Sequence, residues 1–93
     1  MKAIWKFKLE ITGRQIVRMP RKPQILTAQM QSGALCLWAI VDERDPYEDI
    51  EIEIHGTGHG LPPMQYRQYI ATAQPTPGGL VWHVFRVLDP LDF

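Results

Sequence analysis

Apolar and polar residues alternate with a period of two through most of this chain, and glycine, proline or serine interrupts the alternation at short intervals. Side chains two apart lie on the same side of a β-strand, so this pattern predicts short strands with one buried face. Ala3, Trp5, Phe7, Leu9 and Ile11 fall on one side of the first segment, with Lys6, Lys8 and Glu10 on the other. Thr12-Gly13 then predicts a hairpin into a second strand over 15–19, which Pro20 and Pro23 end because proline cannot donate to a ladder. In 25–31, Leu26, Ala28 and Met30 alternate with Thr27, Gln29 and Gln31, and Ser32-Gly33 makes a tight turn into 34–41. That last segment is apolar on both faces. It predicts a central strand covered on either side, or sandwiched by another subunit. Ile50, Ile52 and Ile54 alternate with Asp49, Glu51 and Glu53, which places the acids on a solvated face. Further strands are expected over 66–74 and 80–87, joined by the turn 75–79. No segment of helical length has a 3.6-residue period. The expected fold is all-β, a single small antiparallel sandwich or barrel of six to seven short strands, spanning residues 1–88 with a C-terminal tail at 89–93.

A length of 93 residues allows one domain, and 45% apolar with 22% charged residues is the composition of a folded chain, not a disordered one. Cys36 is the only cysteine, so no disulfide can form within the chain, and its neighbours Leu35, Leu37 and Trp38 predict a buried thiol. The first residues lack the apolar stretch of a signal peptide, and no run reaches the roughly 18 residues of a membrane span, so a cytoplasmic protein without a membrane partner is expected. Net charge is zero, but the charges are segregated. Lys2, Lys6, Lys8, Arg14, Arg18, Arg21 and Lys22 precede residue 25 with Glu10 as the one acid among them. Asp42, Glu43, Asp45, Glu48, Asp49, Glu51 and Glu53 follow with Arg44 as the one base. A bipolar surface argues against general nucleic-acid binding, which rests on neutralising phosphates. It suits a homo-oligomer or a charged protein partner, although two solvated strand faces would produce the same pattern.

The run His55-Gly56-Thr57-Gly58-His59-Gly60 is the most chemically distinctive stretch. Glycines let backbone N–H groups converge, Thr57 adds a hydroxyl, Arg67 adds charge, and Tyr66 or Tyr69 can stack on a ring. The candidate ligand-binding residues are therefore His55, Gly56, Thr57, Gly58, His59, Arg67 and Tyr69, with a nucleotide-like small molecule as the ligand. A plain strand-ending turn is the alternative. The run is neither a P-loop nor a dinucleotide fingerprint. A zinc site on His55, His59 and His83 is disfavoured, because a four-residue spacing converges on a helix that three glycines oppose, and no carboxylate is seen beside them. No metal or cofactor is expected. His83 shares a face with Val81, Phe85 and Val87, which predicts a core histidine. Ser32, the only serine, lies in a turn, and the acids line a solvated face, so no enzyme is expected.

The segments 1–7 (MKAIWKF), 36–39 (CLWA), 56–59 (GTGH) and 83–85 (HVF) together resemble a family of small uncharacterised proteins of tailed bacteriophages and prophages. The resemblance implies a compact all-β accessory protein made in the cytoplasm of an infected bacterium, with no established activity or catalytic residues. The expected function is non-enzymatic: binding that inhibits a host (defence) process, through a protein surface or by sequestering a nucleotide-like ligand. A structural role in virion assembly is the alternative, and a histidine-based metal hydrolase is a more distant one.

Overall fold

The alternating segments become seven strands in a computed structural model that describes residues 1–74 and 79–89. β1 (Lys2–Lys8), β4 (Ala34–Asp42) and β3 (Gln24–Gln31) form a three-stranded sheet in the order β1-β4-β3. β2 (Arg14–Pro20), β5 (Tyr47–Gly56), β7 (Trp82–Val87) and β6 (Arg67–Ala73) form a four-stranded sheet in the order β2-β5-β7-β6. All pairings are antiparallel, and no helix occurs among the described residues. Two separate sheets around one core make a sandwich.

The core comes from the inward face of each strand: Leu35, Leu37, Ala39 and Val41 from β4 share one buried cluster with Ile50, Ile52 and Ile54 from β5, Met19 and Val84. Trp5, Phe7 and Trp82 pack at its margin. The sheets draw closest where β3 runs beside β6. Ala28, Ala71 and Ala73 are buried there, and their small side chains permit the approach.

Four expectations change. β1 and β2 are not a hairpin: β1 pairs with β4 and β2 with β5, so the chain changes sheets between them. Each strand has one apolar face, and such strands can be sheet neighbours or face each other across a core; periodicity does not distinguish the two. The corner is pinned by Leu9 N–H to Leu35 O (2.8 Å), Ile54 N–H to Gly13 O (3.0 Å), and the Gln15 amide, which accepts from Glu10 N–H and donates to its carbonyl. In β3 a bulge between Ile25 and Thr27 shifts the phase. Ile25, Ala28 and Met30 therefore share the inward side, and Leu26 is 41% exposed. β4 is central and buries its inward face, but on its outer face only Cys36 is buried, with Trp38 and Ile40 half-exposed.

The fourth change concerns charge. β2 and β5 are neighbours, with Arg14 opposite Glu53 and Arg18 opposite Asp49. Arg14 pairs with Glu51, Arg18 with Asp49 at 2.8 Å, and the N-terminus with Asp42 at 3.4 Å. The basic and acidic runs thus partly neutralise each other, and the surface is less bipolar than the sequence suggests.

The Ser32-Gly33 turn forms as expected, with φ of 50° and 81° at its two central residues, as a two-residue hairpin turn requires. Most of the expected turn at 75–79, and the expected tail from residue 90 onward, lie outside the described residues.

Candidate functional site

Strand order creates the site. β7 lies between β5 and β6, so β5 ends at Gly56 beside Trp82, whereas β6 begins at Arg67 beside Val87, at the other end of β7. Residues 57–66 must therefore return along the length of a six-residue strand, roughly 20 Å. They do so over the outer face of the four-stranded sheet. Leu61 there shares a recess with His83 and Phe85, and Pro62 shares another with Arg14, Glu53, His55 and Arg67.

A carboxylate is buried on this same face. Glu53 lies on the outward side of β5, yet it is only 2% exposed. Its Oε1 accepts hydrogen bonds from His55 Nε2 (2.7 Å) and Arg67 Nε (3.2 Å), and its Oε2 accepts one from Arg67 Nη2 (3.0 Å). Arg14 Nε stands 3.7 Å from Oε2. Burial pushes the Glu53 carboxyl up, but the hydrogen bonds from Arg67 and His55 and the charge of Arg67 outweigh it and hold the group below the usual carboxylate range. Glu53 is therefore ionised. It is also the carboxylate beside His55 that sequence reading does not find, because the reading assigns the acidic side of β5 to solvent.

His83 likewise differs from its expectation. It does share a side of β7 with Phe85 and Val87, but that side is the outer one, while Trp82 and Val84 point inward. His83 Nε2 is 2.7 Å from Thr57 Oγ1, and its Nδ1 is 3.1 Å from Thr72 Oγ1, which is 2.8 Å from the Tyr69 hydroxyl. This chain ties the crossover to β7 and β6. Phe85 stacks edge-on with both His55 (6.0 Å) and Tyr69 (5.7 Å).

The glycine run opens with a β-turn. His59 N–H donates to Gly56 O at 3.2 Å, and Gly58 takes φ +88° at the position where a type II turn requires it. Thr57 N–H donates to Val81 O. These two amides are committed within the chain and do not converge on an anion. Gly56 has a different reason to be glycine: a Cβ there would stand 2.9 Å from the His59 ring and 3.2 Å from Trp82. The His59 imidazole is folded back onto the Gly56 backbone.

His55, Gly56, Thr57, Gly58 and His59 line one recess of about 340 Å³ with Leu61, His83 and Phe85. Arg67 and Tyr69 lie on the same sheet face, Arg67 engaged by Glu53 and Tyr69 by Phe85 and Thr72. The lining is rings and aliphatic carbon with a few polar atoms, the usual composition of a small-ligand site. Glu53, Thr72, His83 and Phe85 join the site through strand pairing; the sequence signal for Glu53 was its two-residue spacing from His55. No group of three or more histidine, cysteine, aspartate or glutamate side chains is placed to hold a metal ion among the described residues.

Residues 1–91 match the model of a family described as a domain of unknown function, DUF7352. The chain belongs to this family. No curated protein and no solved structure matches it significantly. No helix among the described residues is long and apolar enough to cross a membrane. The family's defining region thus includes both sheets and the crossover with its recess.

Proposed function

We propose that this chain works by binding, as a non-enzymatic accessory protein of bacteriophage type that blunts a host process by holding a small planar, nucleotide-like ligand. The observation that carries the reading is the ring-lined recess over the four-stranded sheet. Catalysis has less support. Thr57 and His83 have the outline of a hydroxyl and its base, but the other His83 nitrogen faces Thr72. An imidazolium formed there would have no carboxylate to stabilise it. The contact is better suited to holding the crossover in place.

A thermal-shift screen with linear and cyclic nucleotides and their nucleosides tests the reading. A ligand present at one hundred times its dissociation constant should stabilise the protein by about 2.7 kcal/mol, and Phe85→Ala should remove the response. No response to any compound, or a response unchanged in Phe85→Ala, would move the function away from this recess.

Self-association is a second part of the proposal. It is supported by the outer face of the three-stranded sheet, where Ile4 (62% exposed) lies opposite Ile40, and Trp38 and Leu26 lie alongside. Sedimentation velocity at micromolar concentration should show a dimer or larger species that Ile40→Glu converts to monomer. A monomer in the unsubstituted protein would remove this part alone.

A further inference from the structure

The tautomer of His55 is set by its neighbour. Glu53 is ionised and its oxygens can only accept, so the 2.7 Å contact requires a proton on His55 Nε2. In the neutral ring, Nδ1 is then left as an acceptor. It has no hydrogen-bond partner among the described residues, and the one sealed, unpartnered side-chain polar atom there is Arg86 Nε, not His55 Nδ1. His55 lines the recess together with Thr57, Gly58 and Leu61, and its ring packs T-shaped against that of Phe85. Several polar groups nearby are already satisfied: the Thr57 hydroxyl by His83, the Arg67 guanidinium by Glu53 and Gln65 O, and the amides of Thr57 and His59 by carbonyls, while the His59 ring is exposed and folded back onto Gly56.

We infer that His55 Nδ1 is the specificity-determining group of the recess, and that the recess selects a flat heteroaromatic ring carrying an N–H donor on its edge, as the amino group of an aminopurine does. The inference rests on the ligand-binding reading above and deepens it. Glu53 acts as a positioning residue: it holds the acceptor tautomer and does not touch the ligand. A ring without the donor leaves the imidazole nitrogen desolvated and unpartnered, which a site built around a hydrogen bond penalises. The same edge chemistry is offered by an indole N–H, so a nucleobase and a tryptophan side chain are the two sources to separate.

The test is calorimetric titration of the full chain with adenosine and with purine riboside, which lacks the amino group. A parallel pair is N-acetyltryptophanamide and its 1-methylindole analogue. The donor-bearing member of at least one pair should bind about ten-fold tighter than its partner, and His55→Phe should abolish that preference while retaining ring binding through Phe85. Nitrogen-15 spectra of the imidazoles supply a readout independent of affinity: His55 should show the Nε2–H tautomer, and its Nδ1 resonance should move when the donor-bearing ring is added. A preference confined to the nucleosides assigns the source as a base, and one confined to the indoles assigns a peptide. Equal binding within both pairs would overturn the role of His55 while leaving the recess a ligand site. Binding of neither pair, with no shift of the His55 signal, would overturn both readings.

Discussion

Gly56 and Glu53 show how much a single position can demand here. A methyl group at residue 56 meets the His59 ring and Trp82, whereas nothing lies within 4 Å of a Cβ at Gly60. The exposed His59 ring can swing away and the Trp82 ring must give by a few tenths of an ångström, so Gly56→Ala is expected to cost about 1 kcal/mol and Gly60→Ala less, as chemical denaturation would show. Glu53 contributes through its depressed pKa. The sign follows from the direction: a carboxyl whose folded pKa lies below its unfolded value of about 4.3 adds stability above that value and loses it as pH falls through the folded pKa. Thermal melts should weaken between about pH 4.3 and the lower folded pKa of Glu53, and Glu53→Gln should flatten that part of the profile. A slope unchanged by the substitution would assign it to other carboxyls. Asp42, held low by Arg44, is one of these, but it is solvent-screened and should contribute less.

At the level of elements, the turn at 32–33 was readable in advance and the corner at 9–13 was not. Ser32 and Gly33 both take positive φ, a demand that Asn-Gly meets better than Ser-Gly. Ser32→Asn should raise the melting temperature modestly, by up to about 1 kcal/mol in stability, because asparagine tolerates the left-handed region. Gly33→Val should lower it by more. The Thr12-Gly13 signal looks similar in sequence, but it makes a corner between sheets. The difference lies in the partners that β4 and β5 offer to β1 and β2, residues more than twenty positions away. The bulges in β3 and β6 were equally invisible, since each shifts the register within an otherwise regular alternation.

For the molecule as a whole, stability should reside in the apolar core shared by the two sheets and not in the surface charge ladder. Leu37→Ala, at a fully buried site, should cost about 2–5 kcal/mol, whereas Arg18→Ala, in a pair whose side chains are each more than half exposed, should cost less than about 1 kcal/mol. Comparable losses in denaturant titrations of the two variants would contradict this division. The all-β class, the main strands, the buried thiol and the grouping of His55 to His59 all followed from local pattern. Alternation and turn chemistry are encoded within a few residues, and side-chain period alone sets which residues share a strand face. Which of those faces is covered is a property of strand order. The placement of β7 between β5 and β6 brings His83 and Phe85 beside His55 and Arg67 onto Glu53, and it sends residues 57–66 across the outer sheet to complete a recess there. Pairings between distant segments depend on how whole faces fit together around one core, a free energy that no short stretch of the chain contains.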